Sequence, residues 1–111
     1  MKYLEILRVF NYWKEKTNKA KKIRMTNRRV NFIEQALKEH PIEDIILLLD
    51  YIFDSEDEYA LFMRGNNERG KKYTDLGNIF RPTKLSEKIG KAKEWKSATE
   101  TPEDDFGWEI K

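Results

Sequence analysis

Apolar residues recur every three or four positions along most of the chain, which is the period of an amphipathic α-helix. The first such stretch predicts a helix over residues 2–16, and a basic connector follows over residues 18–25. Thr26 is a good N-cap for a second helix, because its hydroxyl can accept a hydrogen bond from the first turn. The predicted inner faces consist of Tyr3, Ile6, Leu7, Phe10 and Trp13 in the first helix, and of Val30, Ile33 and Leu37 in the second.

The most apolar stretch of the chain, residues 41–53, predicts a central helix, because PIEDIILLLDYIF is apolar on most sides. Ser55 and Glu58 form an S-x-x-E capping box, which predicts a short fourth helix through Met63. Gly65 is a natural C-cap for that helix, since helices commonly end on a left-handed residue. Further helical stretches are predicted at residues 75–80 and from Pro82 and Thr83 onward, with Leu85, Ile89, Ala92 and Trp95 on the inner face.

These elements predict an all-α fold, a single small helical domain of about five to six helices. The domain is expected over residues 1–96, followed by a flexible acidic tail with aromatic residues over residues 97–111. The chain has 111 residues, enough for one domain with a small core, and 39% of them are hydrophobic and 38% charged. Its longest apolar run is too short to cross a membrane, and without cysteine it has no disulfide framework. A cytoplasmic protein is therefore expected.

The net charge of +2 hides a block pattern. Residues 1–39 carry eleven Lys and Arg against four Asp and Glu, whereas residues 40–63 carry seven acidic residues and no Lys or Arg. Residues 64–96 are again basic, with ten against four, and residues 97–111 are acidic, with one against five. Blocks of this kind either pair with each other inside the fold or present strong local fields to a partner.

The second basic block opens with RGNNERGKKY at residues 64–73, which nearly spells a phosphate-binding P-loop. A working P-loop needs a Ser or Thr after its lysine to bind magnesium, and here Lys72 follows Lys71. The loop should also follow a buried strand, but a helical pattern precedes it. Gly65 and Gly70 are better explained as turn residues that adopt positive φ, with Asn66 and Asn67 bonding their own backbone. That explanation leaves the crowd of basic side chains around the turn unexplained.

Residues 65–81 read G-N-N-x-R-G-K-K-Y-x-x-L-x-x-I-F-R, and this stretch resembles the closing signature of a C-terminal domain in bacteriophage replication proteins. These are replisome organisers and helicase-loader-type initiators, similar to the DnaD-like primosomal proteins. Earlier segments are also similar, namely R-x-x-x-I-x-x-A-L-K-E at residues 29–39 and I-E-D-I at residues 42–45. The resemblance covers about residues 4–96. The DnaD-like pattern of Tyr, Ile and Trp at steps of four is absent, because Lys93 follows Leu85 and Ile89.

The resemblance implies an all-helical module whose roles in that family are DNA binding, self-association and helicase recruitment. It does not extend to the winged-helix domain that recognises origins there, so we expect little sequence specificity. The expected function is a non-catalytic DNA-binding module in phage DNA replication, without a cofactor, in the cytoplasm of a bacterial host. The expected partners are DNA and a replicative helicase or its loader. An alternative left open is a stand-alone phage inhibitor or adaptor that binds a host replication or defence protein without DNA.

Two basic clusters are the candidate DNA-binding residues, because Lys and Arg neutralise phosphates and a helix N-terminus adds to their effect. Tyr73 could stack on a base of single-stranded DNA, although it could equally pack in the core, and the strand preference stays open. The first cluster consists of Lys19, Lys21, Lys22, Arg24, Arg28 and Arg29. The second consists of Arg64, Arg69, Lys71, Lys72, Arg81 and Lys84.

Catalysis has little support in the sequence. A metal-dependent nuclease would need at least three converging carboxylates, and the candidates form a run that is typical of a solvated helix end. The only histidine, His40, precedes Pro41 and is expected in a loop. No catalytic residue and no metal ligand is therefore predicted. The carboxylates weighed for a nuclease are Asp50, Asp54, Glu56, Asp57 and Glu58.

The tail is the candidate site for a protein partner. Acidic residues followed by large rings suit a docking peptide, because charge steers the encounter and rings anchor it. The tail could also fold back over the basic surface or pack on the domain. The candidate partner-binding residues are Asp104, Asp105, Phe106 and Trp108.

Overall fold

A computed structural model describes the backbone of residues 2–17 and 23–106, and the side chains of residues 3–17 and 23–99. These residues form helices and no strand, which confirms the predicted all-α class. The helices are α1 (Lys2–Thr17), α2 (Asn27–Glu39), α3 (Ile42–Asp54), α4 (Glu58–Met63), α5 (Leu76–Ile79) and α6 (Leu85–Phe106).

Helix α3 is the centre of the fold, as its apolar sequence predicts. It packs against α1, α2, α4 and α6, while α5 packs against α2. Pro41 is the N-cap of α3, and Glu43 and Asp44 lie in its first turn, where carboxylates complement the helix dipole. Its fully buried residues are Ile45, Leu48, Leu49, Tyr51 and Ile52.

Helices α1 and α2 match their predicted bounds closely, but the assignment of one residue, Tyr3, to the inner face is wrong. Thr26 caps α2, and its hydroxyl accepts a hydrogen bond from the Arg29 amide at 3.2 Å. Tyr3 is 64% exposed although it lies on the apolar stripe of α1, whereas Val9 is fully buried. The spacing of apolar residues identifies the side of the helix that faces the core. Which residues on that side are buried depends on how far the neighbouring helices extend along it. The first turn of α1 therefore stays exposed.

The start of α4 also differs from the prediction, because its N-cap is Asp57 and not Ser55. The Asp57 carboxylate accepts a hydrogen bond from the Glu58 amide at 3.0 Å, and the Ser55 hydroxyl accepts one from the Asp57 amide at 2.9 Å. The hydroxyl of Tyr51 in α3 also donates to Asp57. This tertiary bond holds Asp57 at the helix start, so the helix begins two residues later than a Ser55 cap would place it.

Helix α6 begins at Leu85, after a turn at residues 82–84, and runs to Phe106. Leu85, Ile89 and Ala92 are buried as predicted, and Trp95 packs at the edge of the core. The predicted boundary between domain and tail at residue 97 lies inside this helix. None of the helices within the described ranges has the length and apolar character needed to span a lipid bilayer.

Candidate nucleic-acid interface

The basic loop of residues 64–75 begins with a helix ending that only glycine accommodates easily. Gly65 has a φ of 112°, so its amide can donate to the Phe62 carbonyl at 3.1 Å. The Asn66 amide donates to the Leu61 carbonyl at 2.9 Å, which completes a Schellman motif. Gly70 also has a positive φ, of 62°. The predicted role of both glycines is therefore confirmed, and the chain reverses direction sharply after α4.

Asn67 holds the loop together through its side-chain amide. Its Nδ2 donates to the carbonyls of Phe62 and Lys71 at 2.8 and 2.9 Å. Its Oδ1 accepts from the amides of Arg69 and Lys71 at 3.0 and 3.2 Å. Because the backbone is fixed in this way, Arg69, Lys71 and Lys72 are presented on a defined turn with exposed side chains.

Trp13 connects the loop to the first basic cluster. Its indole Nε1 donates to the Thr74 carbonyl at 2.8 Å, and the guanidinium of Arg29 lies 5.4 Å from its ring centroid. Arg29 also donates through Nη1 to the Arg24 carbonyl at 2.5 Å. One buried tryptophan therefore connects Arg29 of the first cluster to the loop that carries residues of the second.

This arrangement creates a groove of about 770 Å³ between α1, the start of α2 and the loop, which we call the loop groove. Arg64 is held in its wall because Nη1 donates to the Ile52 carbonyl at 2.8 Å. Lys16 forms ion pairs with Asp50 at 3.3 Å and Asp54 at 2.5 Å. Burial alone would lower the pKa of Lys16, but the hydrogen bonds to those two carboxylates together outweigh it, so the pKa is raised. The basic residues that line the loop groove are Lys16, Arg29, Arg64 and Lys72.

A second groove, of about 300 Å³, lies between α4 and α6 and includes Tyr73 of the loop. We call it the aromatic groove. The ring of Phe62 stacks on Tyr73 with centroids 5.6 Å apart and an angle of 4° between the planes. Lys71 lies 5.6 Å from the Tyr73 centroid, and Lys91 lies 5.4 Å from the Tyr59 centroid. Its aromatic lining is Tyr59, Phe62 and Tyr73, and its basic lining is Arg81, Lys84, Lys88 and Lys91.

Lys88 is the buried cation of this groove, with a relative exposure of 5%. Its ammonium group donates to the carbonyl of Asn78 and, at 3.3 Å, to that of Ile79, so it caps the C-terminal end of α5. Burial lowers the pKa of Lys88 to about 8, and the nearby positive charge of Arg81 acts in the same direction. Lys88 was not among the sequence candidates, although its place on the inner side of α6 beside Leu85 and Ile89 was a signal for burial.

The structure brings together only part of the predicted DNA-binding set. Arg29, Arg64 and Lys72 share the loop groove, and Tyr73, Arg81 and Lys84 share the aromatic groove. Arg28 lies next to the loop groove, with its guanidinium 5.9 Å from the Phe32 centroid. Arg24, Arg69 and Lys71 are exposed and line neither groove. Lys19, Lys21 and Lys22 lie outside the described residues, as does Trp108, and so do the side chains of Asp104, Asp105 and Phe106.

The charge blocks pair with each other at a few points. The ion pairs of Lys16 with Asp50 and Asp54 and of Lys93 with Asp44, the latter at 3.3 Å, link the basic blocks to the acidic one. By contrast, the exposed cations of both grooves make no ion pair with any carboxylate whose side chain is described. Those cations are Lys72, Arg81 and Lys84. Pairing inside the fold therefore explains only part of the pattern.

The carboxylates weighed for a nuclease lie in different places. Asp50 and Asp54 pair with Lys16, and Asp57 caps α4. Within the described residues, no three groups of a metal-binding type converge. Several acids instead line a third groove, of about 530 Å³, which we call the acidic groove. Its lining includes Asp54, Glu56, Asp57, Glu94 and Trp95.

No protein-family model, curated protein or solved structure matches the chain.

Proposed function

We propose that this protein is a non-catalytic DNA-binding module of bacteriophage DNA replication, which acts in the bacterial cytoplasm and contacts a replicative helicase or its loader. One observation carries the DNA part: Arg29, from the first basic cluster, lies in the same groove as Arg64 and Lys72, from the second. DNA binding through both clusters requires that residues of the two clusters lie close together on one surface. The phage and helicase parts rest on the resemblance of residues 65–81.

The chemistry of the loop groove favours phosphate as the ligand. Arg29 and Arg64 each use part of the guanidinium for a backbone carbonyl, and a guanidinium has five N–H donors, so donors remain for a phosphate. Lys72 is exposed on the groove wall and makes no ion pair with a described carboxylate. Contacts to phosphate carry no sequence information, so binding is expected to be weakly specific and strongly dependent on salt.

The test is fluorescence anisotropy of labelled single- and double-stranded oligonucleotides, titrated with the protein at several salt concentrations. The variant is Lys72→Ala, and Lys38→Ala is the matched control, because Lys38 is exposed on α2 and lines none of the three grooves. On duplex DNA, Lys72→Ala should reduce the slope of log affinity against log salt by about 1 if it removes one phosphate contact. Lys38→Ala should leave the slope unchanged. No binding at low salt, or equal effects of both variants, would remove the loop groove as the DNA site.

The acidic groove favours a second candidate function, an inhibitor or adaptor that binds a host protein without DNA. Four carboxylates and one cation, Lys91, line this groove together with Trp95, which is only partly buried and contacts the Tyr51 ring with centroids 5.9 Å apart. A partly exposed aromatic ring in a mainly acidic groove suits a basic segment of a partner protein. In this case Glu94→Lys should abolish capture of a host protein from a lysate. The control Glu43→Lys, an exposed charge reversal away from this groove, should leave the capture intact.

A further inference from the structure

The aromatic groove contains two stacked rings, of which Phe62 is exposed and Tyr73 is partly buried against the core. Phe62 is 45% exposed, and among the large apolar side chains of the described residues only Tyr3 and Leu4 are exposed as well. Its ring is nearly parallel to that of Tyr73, and Tyr73 is itself held in place because its amide donates to the Met63 carbonyl at 2.7 Å. The pair is thus an ordered stacking surface on which the Phe62 ring is open to solvent.

The same groove carries an excess of positive charge. Four cations line it against one carboxylate, Glu87, and none of the four forms an ion pair with a described carboxylate. Arg81 and Lys84 are exposed, while Lys88 is fixed by the carbonyls at the end of α5. Placing an anion beside these groups would offset their mutual repulsion. The ligand that fits this groove is therefore anionic and carries a flat ring.

We propose that the aromatic groove binds single-stranded DNA, with a base stacked on the Phe62–Tyr73 pair and the adjoining phosphates against Arg81 and Lys84. This inference rests on the proposed DNA-binding function and deepens it by assigning the strand form. In a duplex each base is already stacked between its neighbours and its face is closed to a protein ring. An unpaired strand offers open base faces, and stacking of that kind is tolerant of sequence. The small volume of the groove suits nucleotides better than a helix of a partner protein.

The experiment compares four labelled probes by anisotropy: oligo(dT), an oligomer of abasic sites, a duplex and oligo(rU). Each probe is about fifteen nucleotides long, which is near the size of one single-strand binding site. Phe62→Leu keeps an apolar side chain but removes the flat ring, whereas Phe62→Tyr keeps the ring. Tyr3→Leu is the matched control, because Tyr3 is an exposed ring on α1 outside the grooves.

The expected result is tighter binding of oligo(dT) than of the abasic oligomer. Phe62→Leu should weaken oligo(dT) binding about tenfold, the loss expected for one stacked base, without affecting the abasic oligomer. Phe62→Tyr and Tyr3→Leu should leave all four affinities unchanged. Equal binding of the abasic oligomer and oligo(dT), or an unchanged oligo(dT) affinity in Phe62→Leu, would overturn the stacking site. Preference for oligo(rU) over oligo(dT) would overturn its assignment to DNA.

The outcomes separate this inference from the proposed function. If every nucleic acid binds and Lys72→Ala weakens binding, but Phe62→Leu has no effect, the DNA module stands and the stacking site fails. If no probe binds the wild-type protein at low salt while circular dichroism shows that it is folded, both proposals fail together. A peptide partner for the groove is indicated if a host protein, and no oligonucleotide, loses affinity in Phe62→Leu, and that result also overturns the inference.

Discussion

The indole Nε1 of Trp13 donates a hydrogen bond to the Thr74 carbonyl oxygen at 2.8 Å, which ties α1 to the end of the basic loop. The same ring lies under the guanidinium of Arg29 at the start of α2. Trp13 is 2% exposed, so both contacts lie at the edge of the core. This single side chain contacts both basic segments and lines the loop groove between them.

Trp13→Phe should therefore affect stability and DNA binding together. Loss of the hydrogen bond leaves the Thr74 carbonyl without its donor, and the smaller ring leaves a void, at a combined cost of about 1–3 kcal/mol in the free energy of unfolding. Urea denaturation measures this cost. Trp95→Phe is the control, because Trp95 is only partly buried and lies away from the loop. Equal losses in the two variants would mean that the Trp13–Thr74 bond contributes nothing specific.

Gly65→Ala and Gly90→Ala should change the free energy of unfolding in opposite directions. Gly65→Ala should destabilise by about 1–2 kcal/mol or more, because an alanine at a φ of 112° is strained. The new Cβ would also lie 3.3 Å from Cγ of Lys72. Gly90→Ala is the matched control on the exposed side of α6, where a Cβ meets nothing within 4 Å. It should stabilise by about 0.5–1 kcal/mol, and thermal unfolding of both variants checks the pair.

The side-chain amide of Asn67 should be needed for an ordered loop. Asn67→Asp keeps the oxygen that accepts from Arg69 and Lys71 but loses the NH₂ group, so the carbonyls of Phe62 and Lys71 each lose one hydrogen bond. We expect the free energy of unfolding to fall by about 2 kcal/mol, which is roughly 1 kcal/mol for each lost hydrogen bond. The amides of Arg69 and Lys71 should exchange hydrogen faster in the variant. Asn66→Asp adds the same charge at an exposed neighbour and should leave that exchange slow.

Lys88 should make stability rise with pH. Burial, with Arg81 adding to it, lowers the folded-state pKa of Lys88 to about 8, against an ordinary value of 10.5. Between these values the unfolded chain binds more protons than the folded chain, so the free energy of unfolding increases with pH, by at most about 1.4 kcal/mol per pH unit. Urea denaturation at pH 7.5 and 9.5 should show this rise in the wild type and in Lys84→Met, an exposed control. A rise that persists in Lys88→Met would assign it to another group.

The sequence by itself determined the helices and the turn chemistry, because both depend on neighbours along the chain. Thr26 caps α2 through the amide three residues later, and Gly65 ends α4 through carbonyls of its own last turn. The central place of α3 also followed from its composition, since a helix that is apolar on most sides has to be surrounded.

The tertiary structure decided everything that depends on contacts between distant segments. The cap of α4 moved to Asp57 because Tyr51 reaches it from α3, and the exposure of Tyr3 was set by the extent of its neighbours. The sequence marked the basic clusters, but only the fold brought Arg29 beside the loop and stacked Phe62 on Tyr73. Local hydrogen bonds and periodicity can be read along one chain, whereas the meeting of two surfaces depends on how all the helices pack.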